Sequence, residues 1–176
     1  SVDNRPLIAR IRSSEKSGSD DGAGDIKINA RFDRVIGFNN EALSNVTSNV
    51  FLRNGKLNSL QMDGVTDSRQ AIVAQTSAGG GRQTINLTSS DAGAIIRFAN
   101  IYTRINGGLL NIVFNTVNGD DWFGSVDMRN FSVSNEQKLQ DIVATPVGQD
   151  GRSLNKAVRR DIDVSSEKFQ RGFARV

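Results

Sequence analysis

Two pairs of adjacent carboxylates are the first residues here that chemistry could use. Asp20-Asp21 and Asp120-Asp121 each place two acids side by side, raw material for general acid–base work or for holding a divalent ion. Each pair sits beside glycine (Gly22 and Gly119), a setting in which Asp bonds its own backbone in a turn. Neither run has the alternating ligand spacing of a calcium loop. Gly79-Gly80-Gly81-Arg82 has the composition of a phosphate cradle. It lacks the Gly-Lys-Ser/Thr ending and does not open a helix, so it reads as a hairpin turn. Gly22-Ala23-Gly24 fails the dinucleotide pattern because no strand precedes it. The chain has no His and no Cys. That removes thiol nucleophiles, Ser-His-Asp triads, imidazole acid–base chemistry and the usual zinc sites. The expectation is a non-enzyme with no metal and no cofactor.

Charge narrows the partners. The net charge is +3 and the pI about 9.6, a mildly basic balance compatible with plain solubility or with anionic surfaces. Lys156, Arg159, Arg160, Lys168, Arg171 and Arg175 concentrate positive charge in the last quarter. Nucleic-acid binding would need interleaved aromatics, and only Phe169 and Phe173 lie among them. The run reads as a solvated face, and no nucleic-acid partner is expected.

The stronger signal is apolar alternation. Ile26, Ile28, Ala30 and Phe32 point one way; Lys27, Asn29, Arg31 and Asp33 point the other. Leu60/Met62, Ile85/Leu87 and Leu110/Ile112/Phe114 give three further strands an apolar face. Such stripes form an ordinary core under covering helices, or the concave face of a curved sheet that carries acyl chains. The strands needed to place them follow from the turn residues. Asn54-Gly55 is the strongest hairpin signal, between 43–52 and 57–62. Ala78 to Gly81 turns 71–76 into 84–88, so residues 43–88 read as a meander of about four strands. Asn118-Gly119 leads from 109–114 into a long strand carrying Trp122, Gly124, Val126 and Met128 on one side. Phe131 and Val133 have the other parity, which predicts a bulge or corner near Asn130.

One helix is predicted, over about 90–105. Ala92, Ile95, Ile96, Ala99 and Tyr102 follow the i, i+3, i+4, i+7 spacing as its packing face, with Arg97, Asn100 and Arg104 opposite. Ser89, Ser90 and Asp91 suit its start, and Gly107-Gly108 its stop. Two shorter helices are expected after Ser134 and around Leu154, then a last strand over 168–176. Residues 1–24 are expected to be a weak strand at Leu7–Ile11 and a poorly ordered Ser/Gly/Asp-rich loop, and 25–176 a single β-rich unit. The fold class is mostly β with short helices: a twisted antiparallel sheet with the amphipathic helix over its apolar face.

The same stretch carries a resemblance. Asp91-Ala92-Gly93, then Ile101-Tyr102-x-Arg104-Ile105-x-Gly107-Gly108 and a strand, is similar to the C-terminal region of AsmA-like proteins, the AsmA/YhdP/TamB superfamily of bacterial envelope proteins. The glycine-led strand Gly124 to Val133 with its Phe131 corner, and Phe169-Gln170-Arg171, resemble later pieces of that region in order. The likeness runs over about 40–176 and most closely over 83–133. It departs at Ser134 to Lys138, polar where the family has an apolar, proline-started helix.

The resemblance implies a segment of an inner-membrane-anchored periplasmic protein whose hydrophobic β groove passes phospholipid to the outer membrane. The anchor would lie outside this chain, which reads as a fragment of a longer protein. The groove lining would be Ile26, Ile28, Phe32, Leu60, Met62, Ile85, Leu87, Leu110, Ile112 and Phe114. Partners would be phospholipid acyl chains, adjoining segments of the parent chain, and second copies meeting at edge strands. The alternative is a structural or outer-membrane assembly module that binds partner protein through the same apolar face.

Overall fold

The computed structural model describes residues 2–3, 5–6, 24–54, 56–79, 82–117, 121–136 and 166–175. The elements are β1 (Val2–Asp3), β2 (Ile26–Ile36), β3 (Ala42–Arg53), β4 (Lys56–Thr66), β5 (Ala71–Gly79), β6 (Arg82–Ser89), α1 (Ala92–Phe98), β7 (Ile105–Asn106), β8 (Leu109–Val117), β9 (Asp121–Ser134) and β10 (Ser166–Arg175). They make an open sheet in the order β1-β2-β3-β4-β5-β6-β8-β9-β10, with β7 paired to β9 off that path. Every pairing is antiparallel except β1 with β2, so the body is a meander interrupted once, by α1 and β7. The expected strand at Leu7–Ile11, the loop at 13–23 and the helices after Ser134 and around Leu154 fall on residues outside those described; Ser134 itself is the last residue of β9.

Turn residues set the register. Arg53 pairs Lys56 across Asn54-Gly55, with Asn54 at φ +51°, and Gly79 pairs Arg82. Asparagine punctuates the whole chain. Apart from Arg69, every non-glycine residue with positive φ among those described is Asn. Its short amide bonds locally and lowers the cost of the left-handed region. Asn39 and Asn40 turn β2 into β3. Asn45 and Val46 together face Gly64, a bulge that leaves Leu43 and Val46 both buried. Asn130, at φ +55°, is skipped by the β9–β10 ladder, which pairs Arg129 with Arg171 and then Phe131 with Phe169. Gln170 is skipped with it and the register is the same on both sides, so no residue is inserted: the bulge or corner expected near Asn130 is a local break in the ladder at a left-handed asparagine. It puts Phe131 against Phe169, with ring centroids 5.3 Å apart.

The helix is shorter than its periodicity suggests. It runs over Ala92–Phe98, with Asp91 as N-cap and Ala99 as C-cap. Asn100, at φ +53°, ends it in a Schellman motif: Asn100 N–H donates to Arg97 O and Ile101 N–H to Ile96 O. Gly107-Gly108 instead forms the turn between β7 and β8. Tyr102 and Arg104 therefore stand outside the helix. Nor is the helix two-faced: Ala92 to Ile96 and Phe98 are all buried, and Arg97 is half-buried.

All its terminal backbone groups are satisfied, as burial demands. Ala92 N–H donates to Gly108 O (2.8 Å), Gly93 N–H to Gly107 O (2.9 Å) and Ala94 N–H to the Asp91 carboxylate (2.9 Å). At the other end Phe98 O accepts from Phe38 N–H, and Arg97 O from the Asn39 side-chain amide.

Two clusters make the core. Ala92, Ile95 and Phe98 join Val35, Leu43, Val46, Ile72 and Leu110, flanked by Phe32, Met62, Leu87, Ile112, Val126 and Met128. Ile96 joins Ile105 and Phe131, flanked by Tyr102, Val133 and Phe169. Ala99 is half-buried, and Phe98, absent from the expected packing face, is in the first cluster.

Candidate functional site

Directly opposed residues in an antiparallel sheet point to the same side, so register alone assigns faces. One row crosses the sheet from β2 to β10: Ala30, Ser48, Met62, Ala74, Leu87, Ile112, Val126, Ala174. Phe32 and Leu110 belong to the neighbouring row toward α1. In the row beyond it, away from α1 on the same face, Ile28 pairs Val50, which pairs Leu60; Ile85 pairs Phe114, which pairs Gly124. A Cβ on Gly124 would lie 2.2 Å from Val113 O and 2.8 Å from the Phe114 ring, so the β8 backbone and the ring together need glycine there. Ile26 pairs Leu52 one step farther out.

All ten residues of the expected lining therefore lie on one face. They do not share one environment. Leu110 is buried in the cluster that contains α1, and Phe32, Met62, Leu87 and Ile112 pack against that cluster. Leu60, Ile85 and Phe114 are half-buried, while Ile26 and Ile28 are 45% and 46% exposed. The apolar face thus passes, along the strand direction, from residues packed in the cluster with Ala92, Ile95 and Phe98 to residues that are open.

A seam opens at that second end. The β4–β5 ladder stops at Gln61 and Gln75. Beyond it the Thr76 hydroxyl stands in for a peptide group: Leu60 N–H donates to it (2.9 Å) and it donates to Leu60 O (3.3 Å). A hydroxyl can do both at once. Thr76→Val keeps the shape and strands both Leu60 groups, so it should cost about 2 kcal/mol in urea unfolding. Thr76→Ser keeps the hydroxyl and should lose less than ~1 kcal/mol. Equal losses for Val and Ser would show that the hydroxyl does not hold the seam.

The polar groups with short contacts tie neighbouring elements together. Asp91 accepts from Ser68 as well as from Ala94, and Ser68 bonds Thr66 (2.8 Å). Arg97 Nε donates to Glu41 (2.7 Å), and its Nη1 to Ile105 O and to Asn106 (3.2 Å). This joins the β2–β3 loop, α1 and β7. The Tyr102 hydroxyl donates to Glu136; burial first, then that carboxylate, push its pKa up to about 12. The Arg171 guanidinium, with Arg129 beside it, holds the Asp127 carboxyl below its ordinary value.

Asp20, Asp21 and Asp120, and also Lys156, Arg159 and Arg160, lie outside the described residues; Asp121 opens β9. Lys168, Arg171 and Arg175 lie on the last strand. A hollow of about 720 Å³ beside β7 is lined by Asn106, Asn130, Phe131, Lys168, Phe169 and Gln170 among others. No described helix is long and apolar enough to cross a membrane. No family model, curated protein or solved structure matches this chain.

Proposed function

We propose that this chain is a segment of an AsmA-like envelope protein that holds phospholipid acyl chains on the apolar face of its sheet. The observation that carries this reading is the placement of ten separately read apolar residues on one side of a single open sheet, with Ile26 and Ile28 still half exposed. Acyl chains would lie against Ile28, Leu60, Ile85 and Phe114, and α1 would plug the other end. Each methylene removed from water is worth about 0.8 kcal/mol, so a few in contact suffice for measurable binding. No covalent step is needed.

The open edges fit a piece of a longer sheet. β1 pairs only with Val35 and Ile36, so 26–34 of β2 have no outer strand among the described residues, and β10 likewise has one neighbour. Such edges invite adjoining segments or second copies. The periplasm is the compartment this reading implies.

Mass spectrometry of an organic extract of the purified protein should find phospholipid. In titrations with a fluorescent fatty acid, Phe114→Glu should weaken binding at least tenfold. Phe173→Glu, on the opposite face where Phe173 is 54% exposed, should leave it unchanged. Lipid-free protein, or equal losses in both variants, would reject a lipid-holding face and favour the protein-binding module.

A further inference from the structure

The side of the sheet away from α1 carries a row of its own. Asn29 pairs Asn49, Asn49 pairs Gln61, Gln61 pairs Gln75, and Gln75 pairs Asn86. Five amide side chains thus stand in register across five consecutive strands. Among the described residues no side-chain hydrogen bond engages the first four, which are exposed. The fifth, Asn86, has a buried Oδ1 with no partner among the described residues. A hollow of about 430 Å³ follows the row, lined by the first four amides with Phe51 and Thr76. That volume lies within the range of small-ligand sites.

From this we infer a second binding site: the amide row takes a neutral, extended, equatorially linked glycan chain laid across the strands. An amide offers donors and an acceptor without charge, the complement of a hydroxyl-rich uncharged ligand. Neighbouring strands are about 4.8 Å apart, so the row repeats at that interval over about 19 Å. This is close to the rise of one pyranose unit in an extended chain, so successive sugars meet successive amides. Phe51, in the next row, supplies an apolar wall of the kind that sugar C–H faces pack on. Its ring is held by Lys27 and Arg53, at 5.5 and 5.4 Å. Arg31, exposed on the flanking row beside Asn29, is a third cation, and all three sit at the β2–β3 end only. Asp63, on the row beyond Asn49 and Gln61, is occupied by Thr47. An anionic polymer would therefore lack counter-charges along its length. The site stands on the opposite face from the proposed lipid surface and does not depend on that reading.

Calorimetric titration of the 176-residue chain with cello- and chito-oligosaccharides of two to six units tests it. At least one series should bind, with affinity rising to about five units and then levelling, because five strands carry the row. Binding should not change between low and high salt, since no ligand charge is screened. Gln61→Ala/Gln75→Ala should weaken it at least tenfold with the thermal midpoint unchanged, both positions being exposed. Asn111→Ala, on the same face outside the row, should bind as the parent does. Failure of both series, affinity independent of length, an unaffected double variant, or tighter binding of a sulfated oligosaccharide would each overturn the assignment.

Discussion

Gly93→Ala should destabilise the protein by about 3 kcal/mol, although the same change inside a helix ordinarily gains up to ~1 kcal/mol. The reversal comes from the Gly107-Gly108 turn. A Cβ at Gly93 would lie 2.7 Å from Gly107 N and 2.8 Å from Asn106 Cα, and both neighbours are backbone. Relief requires the turn to move. That lengthens the bonds from Ala92 and Gly93 to the carbonyls of Gly108 and Gly107, and disturbs Asn106, which Arg97 also holds. Overpacking against rigid backbone sits at the upper end of small-to-large costs. For a chain of this size the thermal midpoint should fall by roughly 6–12 °C. Gly24→Ala, with nothing within 4 Å, should shift it little. A neutral or stabilising Gly93→Ala would mean that the first turn of α1 does not rest on that turn. The packing also gives a physical reason why Asp91-Ala92-Gly93 and Gly107-Gly108 occur together: the two ends of the motif are hydrogen-bonded partners.

Strand parity was legible because it is local. The alternation from Ile26 to Phe32, the Asn54-Gly55 hairpin and the parity change at Asn130 each need only a few neighbouring residues, and all three are in the structure. The helix boundary was not legible, for a tertiary reason. Tyr102 and Ile105 are drawn against Ile96 and Phe131, so the apolar spacing of α1 continues past its end in residues that are not helical. Asn100 stops the helix, and asparagine takes most of the other left-handed positions among the described residues, so its reading as an outer-face residue concealed the signal. The ten apolar strand residues were legible as one face but not as a depth profile. Leu110 and Phe114 alternate identically in sequence, yet α1 reaches only the first. The amide row and the Thr76 seam depend on which strand lies beside which. Asn29 and Asn86 are linked through three intervening strands, and no local pattern contains that.

The pair Ile96 and Arg97 tests how α1 is held, since these two side chains leave the helix toward different partners. Ile96 is buried against Ile105 and Phe131, with Met128, Val133 and Phe169 around them. Ile96→Asp removes that packing and brings in a carboxylate for which the cluster offers no cation. The cost should be about 4 kcal/mol at neutral pH, combining lost transfer energy with the burial of an unpaired charge. Ile96→Val, which removes one methylene, should cost only about 1 kcal/mol. On periodicity alone Arg97 faces outward, and its truncation should be nearly silent. Its position in the structure gives a different expectation. The Arg97 and Glu41 side chains are 20% and 16% exposed and 2.7 Å apart, and Arg97 also donates to Ile105 O. Arg97→Ala strands the Glu41 carboxylate half-buried and leaves a carbonyl of β7 without its donor. Discounted for partial solvent access, that should cost about 2 kcal/mol. Arg97→Ala/Glu41→Gln should recover part of it by removing the stranded charge. Urea unfolding of the four variants gives the order directly: Ile96→Asp lowest, Arg97→Ala next, then the Arg97/Glu41 double variant, with Ile96→Val nearest the parent. A silent Arg97→Ala would restore the outward-facing reading and detach the β2–β3 loop from the helix energetically. Equal losses for Ile96→Asp and Ile96→Val would instead place Ile96 at a surface that water reaches.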